Sequence, residues 1–172
     1  KEFNCEFTYR VQETAGGIAH ALLLAERFAN KEKILVILGD NITTTSIKPH
    51  VNAFKKQKKG ARVLLRKVSD PFRYGIAALD EPYIISIEEK PKNPKSDFAV
   101  IGYYMYDDKV FDIIKKLKPS ARGEYEITDV NNEYIKLNEL QYDILGGEWT
   151  DAGTFDSLAQ ANKIILENEK EI

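Results

Sequence analysis

The sequence has one cysteine, Cys5, and two histidines, His20 and His50. A single thiol excludes an internal disulfide framework and fits a reducing, cytoplasmic setting. No Cys/His cluster has zinc spacing and no Ser/His/Asp order stands out, which disfavours zinc and covalent chemistry. No apolar run approaches the length of a membrane span, and no signal-peptide pattern opens the chain. Charge of one sign is missing too: 25 basic residues face 27 acidic ones, well mixed, for a formal net charge of −2. That argues against a basic track for nucleic acid and against a polybasic membrane anchor. Phosphorylated substrates stay open, because a site needs only a few local cations. Repeats, low-complexity segments and linkers are absent as well. The 172 residues, 43% of them hydrophobic, therefore read as one globular domain spanning 1–172.

What is present is an alternation of strand and helix patterns. Cys5–Val11 alternates and is rich in Phe, Thr, Tyr and Val, which predicts a strand. The stretch GGIAHALLLAERFA places Ile18, Ala21, Leu22, Ala25 and Phe28 on one helical face. Lys33–Leu38 is a β-branched apolar run of the kind covered on both faces in a parallel sheet. A helix is expected over Ile47–Lys58, a strand over Arg62–Val68, and a hairpin from Gly75–Leu79 and Tyr83–Ile87 around Asp80-Glu81-Pro82. A Pro- and Lys-rich loop leads to a long strand, Phe98–Tyr106. Helices follow at Asp108–Leu117 and Ile127–Leu137, then a strand at Gln141–Leu145 and a last helix at Phe155–Glu167 before a charged tail. Early alternation with later antiparallel pairs predicts an α/β fold with a mixed sheet. The chain opens at Lys1 and runs almost at once into a strand pattern, as if it began inside a larger domain.

Candidate chemistry gathers at the ends of these elements. Ligands of open α/β sheets collect outside the carboxyl ends of strands, and VILGDN puts Gly39-Asp40-Asn41 at such an end. Asp40 can hold a hard cation and Asn41 can hydrogen-bond a polar substrate, although the tripeptide is equally a good turn. Asp151, in GGEWTDAGT, is a second acid in a strand-to-helix loop, where capping the helix is the competing role. Glu89 and Lys90 supply an acceptor for hydroxyls and a cation for phosphate, against the alternative of a solvated charge run. Tyr74 and Gly75 follow a Pro-initiated turn. Gln12 carries the donor and acceptor that suit a pyrimidine imide edge, and Gly16-Gly17 open a helix. Arg122 lies in the loop PSARGE, which also reads as an ordinary turn into a helix.

The ordered set VQETAGGIAHAL, VILGDNI, DPFRYGIA, IEEKPKNPKSDFAVIGYYMYD, LKPSARGEYEITDVNNEY and WTDAGTFDSLAQAN resembles the sugar-nucleotidyltransferase family, in its thymidylyl-transferring branch. The resemblance runs from about residue 8 to the end. It implies a Rossmann-like three-layer α/β/α fold with a mixed sheet. It also implies that glucose 1-phosphate attacks dTTP to give dTDP-glucose and pyrophosphate, with Mg²⁺ neutralising charge. By match, Asp40 and Asp151 are the catalytic metal carboxylates, and Gln12 and Gly17 address the thymine. Asn41, Tyr74, Gly75, Glu89, Lys90, Val100 and Arg122 then line the sugar-phosphate pocket, Gly75 and Val100 through their backbones. The family's Gly-Gly-x-Gly-Thr-Arg-Leu phosphate loop and the lysine after it have no match in this sequence. On that reading the N-terminal βα units are missing, the chain resembles the carboxyl-terminal two-thirds of the domain, and on its own it turns over little. A non-catalytic nucleotide-sugar-binding role, or another nucleotide or sugar phosphate, is the alternative. A sheet edge left open would favour a homo-oligomer, and no nucleic-acid or membrane partner is expected.

Overall fold

The computed structural model describes residues 5–168, so the opening at Lys1 and the charged tail beyond Asn168 lie outside it. In chain order the elements are α1 (Ile18–Leu23), α2 (Glu26–Ala29), β1 (Ile34–Ile37), β2 (Asn41–Thr43), α3 (Lys48–Lys56), β3 (Ala61–Lys67), β4 (Gly75–Asp80), β5 (Tyr83–Glu89) and β6 (Phe98–Tyr106). They continue with α4 (Lys109–Ile114), α5 (Ile127–Lys136), β7 (Leu140–Ile144), β8 (Trp149–Asp151) and α6 (Phe155–Asn168). No described helix is long and apolar enough to cross a membrane.

The main sheet runs β5-β4-β6-β3-β7, with β1 also on β6. The pairings of β6 with β1, β3 and β4 are antiparallel, and β3 with β7 is parallel, so the sheet is mixed, as the pattern predicts. The sequence of β6 explains its central place: after Phe98 every side chain is buried, on both faces. On one face Val63, Leu65, Tyr104 and Tyr106 pack with residues of α1, α4 and α5. On the other, Leu64, Ile101, Tyr103 and Met105 pack with Phe54 of α3. That is a three-layer α/β/α arrangement. In the first layer Tyr106 stacks on both Tyr104 and Tyr134, at centroid distances of 6.2 and 5.7 Å. The Tyr106 hydroxyl donates to Asn131 Oδ1 and the Tyr134 hydroxyl to Asp107 Oδ1, each at 2.7 Å. A buried hydroxyl left without a partner would cost about 1–3 kcal/mol.

Three expectations need correction. Cys5–Val11 forms no strand: Phe7, Tyr9 and Val11 are exposed, and among the described residues no neighbouring strand offers them a ladder. Alternation creates a face but not the partner that a strand requires. The helix expected after Gly17 is two short ones, because Leu24 and Ala25 donate to the carbonyls three residues back and tighten the turn between them. Finally, β1 is not covered on both faces. It pairs antiparallel with β6 and leaves Leu35 and Ile37 open.

β1 and β4 both pair with the same edge of β6, since β3 occupies the other edge along its length. β1 takes Tyr103–Tyr106, while β4 takes Ala99 and Val100. The two strands part at Ile101 and Gly102. A crevice opens there, beside the carboxyl end of β1.

Candidate functional site

The crevice is closed on one side by a two-stranded ribbon of β2 and β8, which pairs Asn41 with Asp151, Ile42 with Thr150 and Thr43 with Trp149. Ala152 N also donates to Asp40 O at 2.7 Å. Threonines lace the far end: Thr43 Oγ1 donates to Glu148 O at 3.0 Å, Thr45 Oγ1 to Gly146 O at 3.1 Å, and Glu148 N to Thr44 Oγ1 at 3.1 Å. Sequence reasoning missed both strands, although the β-branched and aromatic character of NITTT and EWT was a faint signal for them. The ribbon is what joins two acids that are far apart in the chain.

Gly153 completes the junction. The position a Cβ would take there lies 3.6 Å from Asp40 Oδ2 and 3.9 Å from Asp151 Oδ2, so the two carboxylates flank one small space. Asn41 sets this geometry. Its Nδ2 donates to Asp40 Oδ1 at 2.8 Å, while its Oδ1 accepts from Gly102 N and from Trp149 Nε1, both at 2.9 Å. Gly102 is required: a Cβ there would sit 2.6 Å from the Asn41 Cγ. Arg73, on the turn after Asp70-Pro71, donates through Nη2 to Asp151 Oδ2 at 2.7 Å and through Nη1 to Asp70 Oδ2 at 3.0 Å. Burial pulls the Arg73 guanidinium down, but the Asp70 hydrogen bond and the surrounding negative charge outweigh it and raise its pKa. Beside it, burial and then the charge of Asp151 push the Tyr74 hydroxyl up to about 12.

The opposite wall comes from the β4–β5 hairpin and the start of α5. Thr128 Oγ1 donates to Glu89 Oε2 at 2.6 Å. Gly75 leaves room for that bond, since a Cβ would lie 3.0 Å from Thr128 Oγ1. Lys90 holds φ at +46°, with its N–H donating to Tyr74 O at 2.9 Å. Such a left-handed lysine is uncommon and fixes where its chain leaves the strand. The wall is braced from behind by Arg122, which donates to Glu126 through Nε (3.1 Å) and Nη2 (2.8 Å), with Ser120 Oγ donating to the same carboxylate at 2.7 Å. Burial raises the Glu126 pKa, but these hydrogen bonds overcome it and hold the group below its ordinary range.

Asp40, Asn41, Tyr74, Gly75, Glu89, Lys90, Val100 and Asp151 line a single cavity of about 260 Å³. Arg122 stands just outside it, 3.8 Å from Glu89 Oε1. Gln12 and Gly17 are not among its lining residues, although Gly17 precedes the lining residue Ile18; they bond each other, Gln12 Nε2 donating to Gly17 O at 3.1 Å and lying 3.0 Å from His20 Nδ1. Gly17, at φ +89°, is held against the Tyr125 backbone, where a Cβ would lie 2.6 Å from the Tyr125 carbonyl. This packing is a structural reason for the glycine that the sequence did not disclose. Ala19 N also donates to Tyr125 O, so the start of α1 is partly occupied by protein. Among the lining residues that sequence reasoning passed over are Gly102, Thr128, Glu126 and Asn131.

Five carboxylates line the cavity, those of Asp40, Glu89, Glu124, Glu126 and Asp151, against two cations, Arg73 and Lys90. An anionic ligand there needs added positive charge. Among the described residues no group of three or more Asp, Glu, His or Cys could hold a metal. The Asp40–Asp151 pair instead fits a hard divalent cation that takes two carboxylates and completes its shell with ligand oxygens and water.

A family model described as nucleotidyl transferase matches residues 1–168. A glucose-1-phosphate thymidylyltransferase from Neisseria meningitidis is 39% identical over 168 residues, covering 95% of this chain and 58% of the relative. The enzyme of that name from Mycolicibacterium smegmatis is 38% identical over the same shares. A crystal structure from Bacillus anthracis assigned to glucose-1-phosphate thymidylyltransferase, in complex with sucrose, superposes with a TM-score of 0.90 at 57% identity, covering 95% of this chain and 66% of that one. A UDP-glucose pyrophosphorylase in complex with UDP-glucose, 24% identical, shares the fold with a TM-score of 0.88. The chain thus spans about 58% of the length of these two curated relatives.

Proposed function

Since the chain belongs to the nucleotidyl transferase family, we propose that it serves glucose-1-phosphate thymidylyl transfer, moving dTMP from dTTP to glucose 1-phosphate. The observation that carries this reading is the convergence of Asp40 and Asp151 across β2 and β8, at one wall of a cavity whose other wall is Glu89, Thr128 and Lys90. Oxygen of the sugar phosphate attacks the α-phosphorus. The bond from that phosphorus to the β-phosphate oxygen breaks, and pyrophosphate leaves with dTDP-glucose as the other product. Catalysis of this kind is positioning and charge stabilisation.

The residues divide the work by wall. Glu89, its other oxygen held by Thr128, accepts from sugar hydroxyls, and the Lys90 ammonium meets the sugar phosphate. Gly75 and Val100, paired across β4 and β6, form a floor of backbone groups. Tyr74 keeps its proton well above neutral pH and so has a hydroxyl hydrogen to donate to ligand. Asn41 holds Asp40 for the cation and keeps one N–H for the sugar. Gln12 and Gly17 address the thymine, and Arg122 steadies the Glu89 wall through Glu126. Asp40 and Asp151 would hold Mg²⁺, which supplies neutralisation of the negative charge that builds on the transferring phosphate. The protein works in the cytoplasm as a homo-oligomer, a reading supported by its lone thiol and by the exposed Leu35 and Ile37 on β1.

A second reading, nucleotide-sugar binding without turnover, is favoured by the small count of lining cations, one of which is engaged with Asp151. Calorimetry with dTDP-glucose and a pyrophosphate-release assay, run on the same preparation, separate the two. Binding that Asp40→Asn weakens together with measurable release supports transfer, and binding without release supports the second reading. No heat with millimolar dTDP-glucose would overturn both.

A further inference from the structure

A guanidinium stands where a cation shared by Asp40 and Asp151 would have to meet the protein. The oxygen of Asp151 that faces Asp40 across the Gly153 space is Oδ2, and Oδ2 is the atom Arg73 contacts at 2.7 Å. The two acids therefore do not face each other uncompensated: the side chain neutralises one of them. A divalent ion placed on the same oxygen brings like charge against the guanidinium, so both cannot keep their present positions.

Arg73 has other partners to hold it if the Asp151 contact is lost. It sits on a three-residue turn, Pro71–Arg73, and its side chain is 40% exposed. It has a second tether in Asp70, 3.0 Å from Nη1, and its guanidinium rests over the Tyr74 ring at 5.2 Å. It also stands on the ridge between the main cavity and a neighbouring one of about 330 Å³, lining both. Loss of the Asp151 contact leaves it anchored by Asp70 and free to turn toward ligand in the main cavity.

We infer that Arg73 is a built-in counter-ion for the acid pair, displaced from Asp151 by a divalent cation and thereby released to the anionic ligand. Resting on the cation reading given above, this makes cation and phosphate bind cooperatively: each removes the partner that competes with the other. Arg73 thus opposes cation binding in the empty protein and favours it in the loaded one.

The test is a Mn²⁺ titration followed by electron paramagnetic resonance, on wild type and Arg73→Gln, with and without glucose 1-phosphate. Trp149, the single tryptophan and 5.8 Å from the Tyr74 ring, gives a second readout by fluorescence. Without ligand, R73Q binds Mn²⁺ roughly fivefold or more tighter than wild type. With glucose 1-phosphate, wild type gains affinity by a similar factor and R73Q gains little. Arg73→Lys, which keeps the charge but loses the forked contact, falls between, and a melting curve for each variant confirms folding. R73Q binding Mn²⁺ no tighter than wild type overturns the inference, as does an undiminished gain with ligand. Asp40→Asn distinguishes the levels. If it abolishes Mn²⁺ binding while R73Q matches wild type, only the counter-ion role falls. If wild type binds no Mn²⁺, or Asp40→Asn binds it equally well, the cation reading falls and takes the inference with it.

Discussion

Asn41 uses both ends of its amide inside the protein, accepting from Gly102 N and Trp149 Nε1 and donating to Asp40. Its sequence context shows a polar residue at a strand end, and that much was legible. Its partners were not, because they lie 61 and 108 positions away and only the fold brings them together. Gly102 is the same lesson in reverse: nothing in AVIGYY says why a glycine interrupts a buried strand until Asn41 is seen against it. Asn41→Ala leaves two part-buried N–H donors without an acceptor, each worth about 1–3 kcal/mol. We expect a stability loss of about 2 kcal/mol or more by chemical unfolding, with a shift in Trp149 emission. Unchanged emission and a loss below about 0.5 kcal/mol would show that water replaces the amide without cost.

Among the elements, legibility followed length and burial. β6 is legible to the residue, because nine consecutive positions of apolar and aromatic character admit little else. The hairpin, α3, α5 and β7 came within a few residues. β2 and β8 escaped, since three residues carry no period, and they are the pair that assembles the acids. The loop before α5 has the sequence of an ordinary turn, and in the structure it is a brace. Arg122→Met removes the forked contact to Glu126, a cost of about 1 kcal/mol given how exposed the guanidinium is. Because Glu126 is held below its ordinary value of 4.5, its stabilisation is full above that pH and is lost as pH falls through the folded-state value. The difference between wild type and variant should accordingly be full at pH 7 and shrink progressively as the pH is taken below 4.5, measured by denaturant unfolding. A difference that persists undiminished in acid would assign Arg122 a packing role instead.

For the molecule as a whole, the apolar residues left in solvent are informative. Leu35 and Ile37 on β1 and Phe28 beside them form one open patch among the described residues. Phe155, Leu158, Ile165 and Leu166 mark another along α6. Light scattering should show association that weakens when Leu35 and Ile37 are both changed to Lys; a strict monomer at every concentration would count against the homo-oligomer. The shared edge of β6 has a wider consequence. One rail carries two panels: the β1 side leads to the acids, and the β4 side, through its hairpin with β5, ends in Glu89 and Lys90. The panels are joined across the crevice by the Arg73–Asp151 contact and by Tyr74 edge-on to Trp149, so a change in the turn that leads into β4 reaches the acids as well. The two walls are therefore expected to shift together, so that a substitution on one is felt at the other.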